Sequence, residues 1–399
     1  MCGFAVYTGS DKMTRLNIAS EFEQLSYRGP DNTQVEDFAE KGWMGFHRLK
    51  IIDITDDGNQ PLNYNHIHLT CNGEIYNYKE LRRQYKDQYE FQSESDCEVI
   101  IPMFLELGIE ETARQLDAEY VFVIYDARQD KYVAARDPVG IRPMFYGYTD
   151  DGSIMFASEM KALHRICRHV EPFPPGHYYD GEKFVSYRDI SYVEKYADDS
   201  MEQVFDNINH LLTRAVEKRL QADVPVGFLC SGGLDSSLVC AIGARLIDRP
   251  IKTFAVGIED DPIDTKYARQ VAEYLGADHT EVLFTRQDIF DTLSTLIYNI
   301  ETWDITTIRA SMGMYLVCKY IAENTDVKVL MTGEISDEIF GYKYTDFAPT
   351  PEAFQREAQK RIHEIYLYDV LRADRSISSH GLEARVPFGD LDFVEYVMS

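Results

Sequence analysis

The 399-residue chain is predicted to hold two different folds in series: stacked antiparallel sheets with helices, then an α/β domain with a parallel sheet. Three observations predict this. Short apolar or alternating runs separated by turns fill the first half. A polar stretch, Glu194–Ser200, interrupts the pattern. After it, strand-like and helix-like segments alternate, which implies a parallel sheet with helical crossovers.

In the first half, Phe4–Tyr7, Gly45–Arg48, Ile67–Cys71, Tyr120–Asp126 and Lys131–Arg136 read as strands. Turn residues such as Asp56-Asp57-Gly58-Asn59 separate them. Arg128-Gln129-Asp130 joins the last two runs as a hairpin, and Glu98–Leu107 reads as a helix. The expected divisions are a first domain over 2–190, a linker over 191–200 and a second domain over 201–399. In the second domain Val224–Cys230, Ile251–Val256, His279–Val282 and Val327–Met331 read as strands. Ser236–Ile247, Thr265–Leu275, Arg286–Asn299 and Ala310–Glu323 read as helices. Ligands of such sheets bind beyond the carboxyl ends of the strands.

Composition bounds the function. The chain is 45% hydrophobic, enough for two cores, and no apolar run approaches membrane-spanning length. Residues 1–13 lack a basic region followed by an apolar stretch, so no secretory signal is expected and the location expected is cytoplasmic. A formal net charge of −27 repels phosphate backbones and argues against nucleic-acid binding. Phosphate recognition in so acidic a chain needs a local patch of N–H donors, and Mg²⁺. The seven cysteines (Cys2, Cys71, Cys97, Cys167, Cys230, Cys240 and Cys318) contain no C-x₂-C pair and suggest neither a zinc knuckle nor a disulfide framework.

Cys2 stands apart by position. Removal of Met1 would leave a thiol and a free α-amine on one residue, and that amine can serve as the base for the thiol. The mature chain is therefore expected to start at Cys2. Tyr27-Arg28-Gly29-Pro30-Asp31, His47-Arg48-Leu49, Asn72-Gly73-Glu74-Ile75-Tyr76-Asn77 and Ser95-Asp96 supply the rest of what amide hydrolysis of glutamine needs. An Asn side chain and a Gly N–H can hold an oxyanion. An Arg can pair with an α-carboxylate, and an Asp with an α-ammonium. In this order the motifs resemble the class II glutamine amidotransferase domain, an N-terminal-nucleophile sandwich. The resemblance implies Cys2 as nucleophile and Asn72 and Gly73 as oxyanion hole. It implies Arg48, Glu74 and Asp96, with the backbone near Ile51 and Ile52, as the glutamine site.

Ser231-Gly232-Gly233-Leu234-Asp235-Ser236-Ser237 follows an apolar strand and opens a helix. Glycines let backbone approach phosphate, and N–H groups of a helix start attract anions. No G-K-[ST] follows, so it is not a Walker A loop. The loop resembles that of the ATP pyrophosphatases. Phe254-Ala255-Val256-Gly257 ends the next strand, and Thr332-Gly333-Glu334 runs into Ser336-Asp337-Glu338 after a later one. Both halves in this order resemble the bacterial B-type asparagine synthetases. Arg136–Pro143, Ala157–Leu163, Phe173–Gly176, Glu301–Asp304, Thr306–Ser311 and Gly381–Phe388 add to the match. The resemblance implies that glutamine, aspartate and ATP are the substrates, with Mg²⁺. Leu229, Val256, Thr332 and Gly333 would touch ATP. Ser231, Gly233, Asp235 and Ser236 would hold its phosphates, with Gly232 and Leu234 also in the ATP site. Glu334 would serve adenylation and deprotonate ammonia, Asp235 and Asp337 would hold Mg²⁺, and Thr307 and Arg309 would meet aspartate.

The family pattern is broken in three places. Thr332 and Ile335 stand where it has Ser and Gly, and β-branched Ile335 disfavours positive φ. Phe340-Gly341-Tyr342-Lys343 replaces Phe-Gly-Gly-Tyr. The chain also stops at Ser399, with no counterpart found for the family's phosphate-contacting Lys. Weak adenylation by this chain alone is the expectation, with a homodimer or a partner chain supplying the remainder. The alternative reading is a glutaminase joined to an ATP-binding module that makes no asparagine.

Overall fold

The computed structural model describes residues 1–260 and 263–399, and the chain divides into two compact units, Met1–Asp189 and Ile190–Ser399. The first runs β1 (Gly3–Tyr7), α1 (Lys12–Phe22), β2 (Asn32–Asp37), β3 (Trp43–Arg48), β4 (Leu62–Tyr64), β5 (Ile67–Ile75), α2 (Tyr78–Tyr85) and α3 (Ile100–Gln115). It continues with β6 (Ala118–Asp126), β7 (Lys131–Arg136), β8 (Phe145–Tyr148), β9 (Ile154–Ala157), β10 (Val170–Pro172), β11 (His177–Tyr179) and β12 (Phe184–Ser186). Two antiparallel sheets result, ordered β10-β8-β9-β1-β3-β2 and β12-β11-β7-β6-β5-β4.

Strand β6 explains the layering. All nine of its residues are buried. Val121, Val123 and Tyr125 point into a core shared with Phe4, Val6, Met44 and Phe46 of the other sheet. Tyr120, Phe122 and Ile124 point the opposite way, into a core with Ile100, Ile101 and Met103 of α3. A period of two with both faces apolar places this strand between two cores. The hairpin of β6 and β7 forms as the sequence suggests, Asp126 opposite Lys131.

Two of the boundaries that differ from expectation bear on the site. β5 does not stop at Cys71; Asn72, Gly73 and Glu74 continue the ladder opposite Val121, Tyr120 and Glu119. An Asn-Gly pair suggests a turn, but here a Cβ on Gly73 would lie 2.5 Å from the Glu119 carbonyl, so the strand passes where only glycine fits. The helix expected at Glu98–Leu107 begins as a 3₁₀ turn, Asp96–Val99, and continues as α3 to Gln115.

The second unit runs α4 (Met201–Arg219), β13 (Val226–Leu229), α5 (Leu234–Leu246), β14 (Lys252–Ile258), α6 (Ile263–Leu275), β15 (Asp278–Phe284), α7 (Arg286–Ile300) and α8 (Ile305–Asn324). Then come β16 (Val329–Met331), α9 (Ser336–Phe340), α10 (Pro351–Glu364), α11 (Asp369–Ser378), β17 (Glu383–Arg385) and α12 (Leu391–Met398). Ser200 caps α4 in a reciprocal box with Gln203, the S-x-x-Q signature of a helix start. The sheet is parallel, in the order β15-β14-β13-β16-β17. From β13 the chain steps outward through β14 to β15, then returns to lay β16 on the other side of β13. The crevice between β13 and β16 is therefore a topological switch point, where α/β sheets bind ligands. α8 starts five residues earlier than expected because Asp304 caps it, accepting from Thr307 N at 2.7 Å. Among the described residues no helix is long and apolar enough to cross a membrane.

Candidate active site

In the first unit Cys2 leads into β1, and its backbone is held on both sides. Its N–H donates to Asn72 Oδ1 at 3.0 Å, and Arg28 Nε donates to its carbonyl at 2.9 Å. The Leu49 N–H points at Cys2 Sγ from 3.3 Å, and the thiol faces the Leu49 carbonyl at 3.7 Å. Arg28 is wholly buried and pairs at 2.7 Å with Glu159. Glu159 also accepts from the Tyr27 hydroxyl at 2.6 Å and from Lys161 at 2.9 Å.

Asn72 is buried at the heart of this arrangement. Its Oδ1 is taken by Cys2, and its Nδ2 is buried with no hydrogen-bond partner. An unmade bond of that kind costs about 1–3 kcal/mol. The donor is left open to an incoming acceptor. Gly73 follows in the same strand. Asp96 accepts from Ile75 N at 2.7 Å, which ties it to the end of β5 just past buried Glu74.

Arg48 closes β3 with its guanidinium inside a loop. Nη1 donates to Thr55 O at 2.7 Å and to Asn59 Oδ1 at 2.9 Å. Nη2 donates to Ile52 O at 3.3 Å and to Asp53 O. The bidentate grip expected on a substrate carboxylate is here made on the loop that carries Ile51 and Ile52. A carboxylate would meet these nitrogens by exchange with backbone acceptors.

In the second unit the Ser231 loop leaves β13 and the Thr332 loop leaves β16, side by side at the switch point. A Cβ on Gly333 would lie 2.9 Å from Ser236 N, and Ser336 Oγ donates to Asp235 Oδ1 at 2.7 Å, so the loops touch. Ser231 Oγ and Ser236 Oγ lie 3.0 Å apart, and Gly233 N donates to Ser231 Oγ at 3.3 Å. This cradle opens onto the start of α5, where N–H groups lack helical acceptors. Leu234 is exposed at its rim. Leu229 ends β13, Val256 lies in β14, and Thr332 N donates to Arg385 O at 3.0 Å. α8 approaches through Gly313, whose added Cβ would meet Val256 Cγ1 at 3.3 Å. Thr307 Oγ1 donates to the capping Asp304 at 2.8 Å, and Arg309 is exposed on the same helix.

Carboxylates crowd beside the loops. Burial pushes Glu334 up, the Arg372 guanidinium pulls it down, and Asp369 and Asp337 push it up again. Asp337 is raised by burial and by Asp235 and Asp369. Glu338 is pushed up to about 7 by burial and by Asp369, against the Tyr342 hydroxyl that donates to it. Since the folded pKa exceeds the unfolded one, the folded state gains stability as pH falls from about 7 toward the ordinary carboxylate value of 4.5. Glu338→Gln is expected to raise the melting temperature at pH 8, where the wild-type carboxylate is charged, and to change it little near pH 4.5. Melting curves at both values in the absence of divalent ions check this; a lower melting temperature at pH 8 would refute the charge-burial cause.

Two family profiles cover the chain. That for the glutamine amidotransferase domain matches residues 1–213, and that for asparagine synthase matches residues 207–352 and 347–399. The probable glutamine-hydrolysing asparagine synthetase of Acanthamoeba polyphaga mimivirus is 41% identical over all of this chain and 78% of its own length. This chain belongs to the glutamine-hydrolysing asparagine synthetase family. The Homo sapiens and Gallus gallus members are 39% and 40% identical, again over all of this chain and 77% of theirs.

Within this synthetase family member, Ile335 adopts φ +81 despite its β-branch, and it is buried. The left-handed turn costs roughly 1–2 kcal/mol, comparable to what burying the side chain returns. Ile335 thus takes the positive φ that its β-branch disfavours, and the turn stores strain. Sequence reasoning assigned no role to Ser336, Arg28, Glu159, Asp369 or Arg372. The contacts that matter are long in sequence, 101 residues for Ser336–Asp235, 131 for Arg28–Glu159 and 38 for Arg372–Glu334 (with Asp369 reaching Glu334 through Arg372), and no spacing reveals them.

Proposed function

We propose that this chain makes asparagine from aspartate, ATP and ammonia released from glutamine. Residues 2–190 act as the glutaminase and 201–399 as the synthetase, joined by 191–200. With Met1 removed, the α-amine of Cys2 takes the thiol proton and Sγ attacks the glutamine amide carbon; the intermediate collapses as that proton passes to the departing ammonia, and water then releases glutamate from the thioester and restores the thiol. Asn72 Nδ2 and the Gly73 N–H receive the oxyanion, Asp96 and Glu74 meet the α-ammonium, and Arg48 with the Ile51–Ile52 backbone meets the α-carboxylate. Asn72 carries this reading. Its amide is aimed by the Cys2 nitrogen, 3.0 Å away, and leaves a buried donor unfilled.

At the switch point, the Ser231–Ser236 cradle and the start of α5 hold the triphosphate, and Leu229, Val256, Thr332 and Gly333 border the nucleotide. The aspartate β-carboxylate attacks the α-phosphorus, pyrophosphate leaves, and ammonia then displaces AMP. Glu334 takes a proton from the incoming ammonia, and Thr307 and Arg309 border the aspartate. Asp235 and Asp337 would hold Mg²⁺: Ser336, the neighbour of Asp337, donates to Asp235 Oδ1 at 2.7 Å, which brings the two carboxylate-bearing loops together, and Asp235 raises the Asp337 carboxyl. Among the described residues no group of three or more His, Cys, Asp or Glu could hold a metal. Mg²⁺ is usually held by one or two carboxylates with substrate phosphates completing the shell. Bound there, it would neutralise charge on the departing pyrophosphate.

The test is formation of asparagine, AMP and pyrophosphate from ATP, aspartate and either glutamine or ammonia. In the same assay Asp96→Asn keeps an acceptor for the Ile75 N–H but loses the charge. Its KM for glutamine is expected to rise about 10- to 100-fold, from a charged hydrogen bond of about 1.5–3 kcal/mol. An unchanged KM would remove Asp96 from the glutamine site.

A further inference from the structure

Helix α11 has no part in the motifs above, yet it faces Glu334. Arg372 Nη2 donates to Glu334 Oε2 at 2.8 Å. Arg372 is itself held from behind, since its Nε donates to Asp369 Oδ1 at 3.1 Å, one turn back on the same helix. The Arg372 and Glu334 side chains are 11% and 15% exposed, so the pair is largely withdrawn from water. No other side chain or backbone group holds the Glu334 carboxylate among the described residues. Oε2 is occupied and Oε1 remains to be offered to a substrate. Acid, guanidinium and carboxylate thus form a chain, Asp369–Arg372–Glu334, in which each member orients the next. This is the arrangement by which a third group fixes a general base.

We propose that Arg372 is a positioning residue for the synthetase reaction: it locks the Glu334 carboxylate by one oxygen so that the other meets the incoming ammonia. The proposal rests on the reading of Glu334 as the proton acceptor. An alternative job for Arg372, direct binding of the aspartate carboxylate, predicts a different kinetic signature. Loss of a positioning group lowers kcat with little effect on KM, whereas loss of a binding group raises KM for aspartate.

Ammonia-dependent synthesis by the full chain decides between them, using Arg372→Met, Arg372→Lys and Glu334→Gln. Arg372→Met should lose on the order of 100-fold in kcat, as for other preorganising donors, with KM for aspartate and ATP within about threefold. Arg372→Lys keeps one charged donor but cannot reach Asp369 and Glu334 together, and should recover about tenfold of that loss. A wild-type kcat in Arg372→Met, with Glu334→Gln inactive, overturns the positioning role alone. An unchanged kcat with a raised KM for aspartate also overturns it. Full activity in Glu334→Gln ends both the reading of Glu334 and this inference. A readout independent of turnover is the melting temperature of the Arg372→Met, Glu334→Gln double variant. It should fall by less than the sum of the two single variants, because each alone strands the other's partner; additive losses would show that the pair is not coupled.

Discussion

Cys2→Ala is expected to abolish ammonia release from glutamine, by about 10⁴-fold or more, as when other covalent nucleophiles are removed. Ammonia-dependent synthesis should stay at the level of the unsubstituted chain. The residues that hold Cys2 are Asn72, Arg28 and Leu49. None of them belongs to the β13–β16 crevice, and the Ser231 loop is tied to its neighbour by Asp235 and Ser336. The fold cost is small. Alanine removes the acceptor of the Leu49 N–H, which is worth about 1 kcal/mol. Cys2→Ser separates the two effects: it restores an acceptor while leaving a far weaker nucleophile, so stability returns and turnover does not. Intact mass belongs in the same experiment, since the mechanism needs the α-amine of Cys2. Glutamine turnover persisting in Cys2→Ala, or in a preparation that retains Met1, would remove Cys2 from its role.

Legibility in the sequence followed the range of the interactions concerned. The βαβ alternation from β13 to β16 and the β6–β7 hairpin are local patterns, and the strands and helices appear near the expected positions. The Asn72-Gly73 pair misled because its local preference is a turn, whereas packing against the Glu119 carbonyl keeps it in the strand. The start of α8 is a local signal too: Asp304 caps the helix, which begins at Ile305 rather than at the expected Ala310. Arg48 illustrates a different limit. Its residue type suits a carboxylate, yet four backbone and side-chain acceptors between Ile52 and Asn59 surround its Nη atoms, and only the folded loop reveals them. The Asp369–Arg372–Glu334 chain lies beyond sequence reasoning altogether, because the polar face of a C-terminal helix does not say which loop it will meet.

Gly232→Ala should remove ATP binding and lower the melting temperature of the second unit. The position combines two independent constraints. Its φ is +79, where an L side chain costs roughly 1–2 kcal/mol. A Cβ there would lie 2.5 Å from Ala268 N and from Tyr267 C, which are backbone atoms of α6 that no rotamer change can move aside. Either α6 shifts or the loop does, at about 1–3 kcal/mol for overpacking. Together these take a large part of the 5–15 kcal/mol typical of a folded domain. The loop is the cheaper part to move, and moving it turns Gly233 N and the first N–H groups of α5 away from the triphosphate. Gly233→Ala is the matched control. Its φ is −72, and an added Cβ meets only Ser231 Oγ, at 3.3 Å, so that variant should fold and retain most of its nucleotide affinity. ATP titration and melting curves of both variants give the comparison. Wild-type affinity in Gly232→Ala would mean that the loop does not hold phosphate through its backbone. Equal losses in the two variants would mean that the close approach to α6 is not what shapes it.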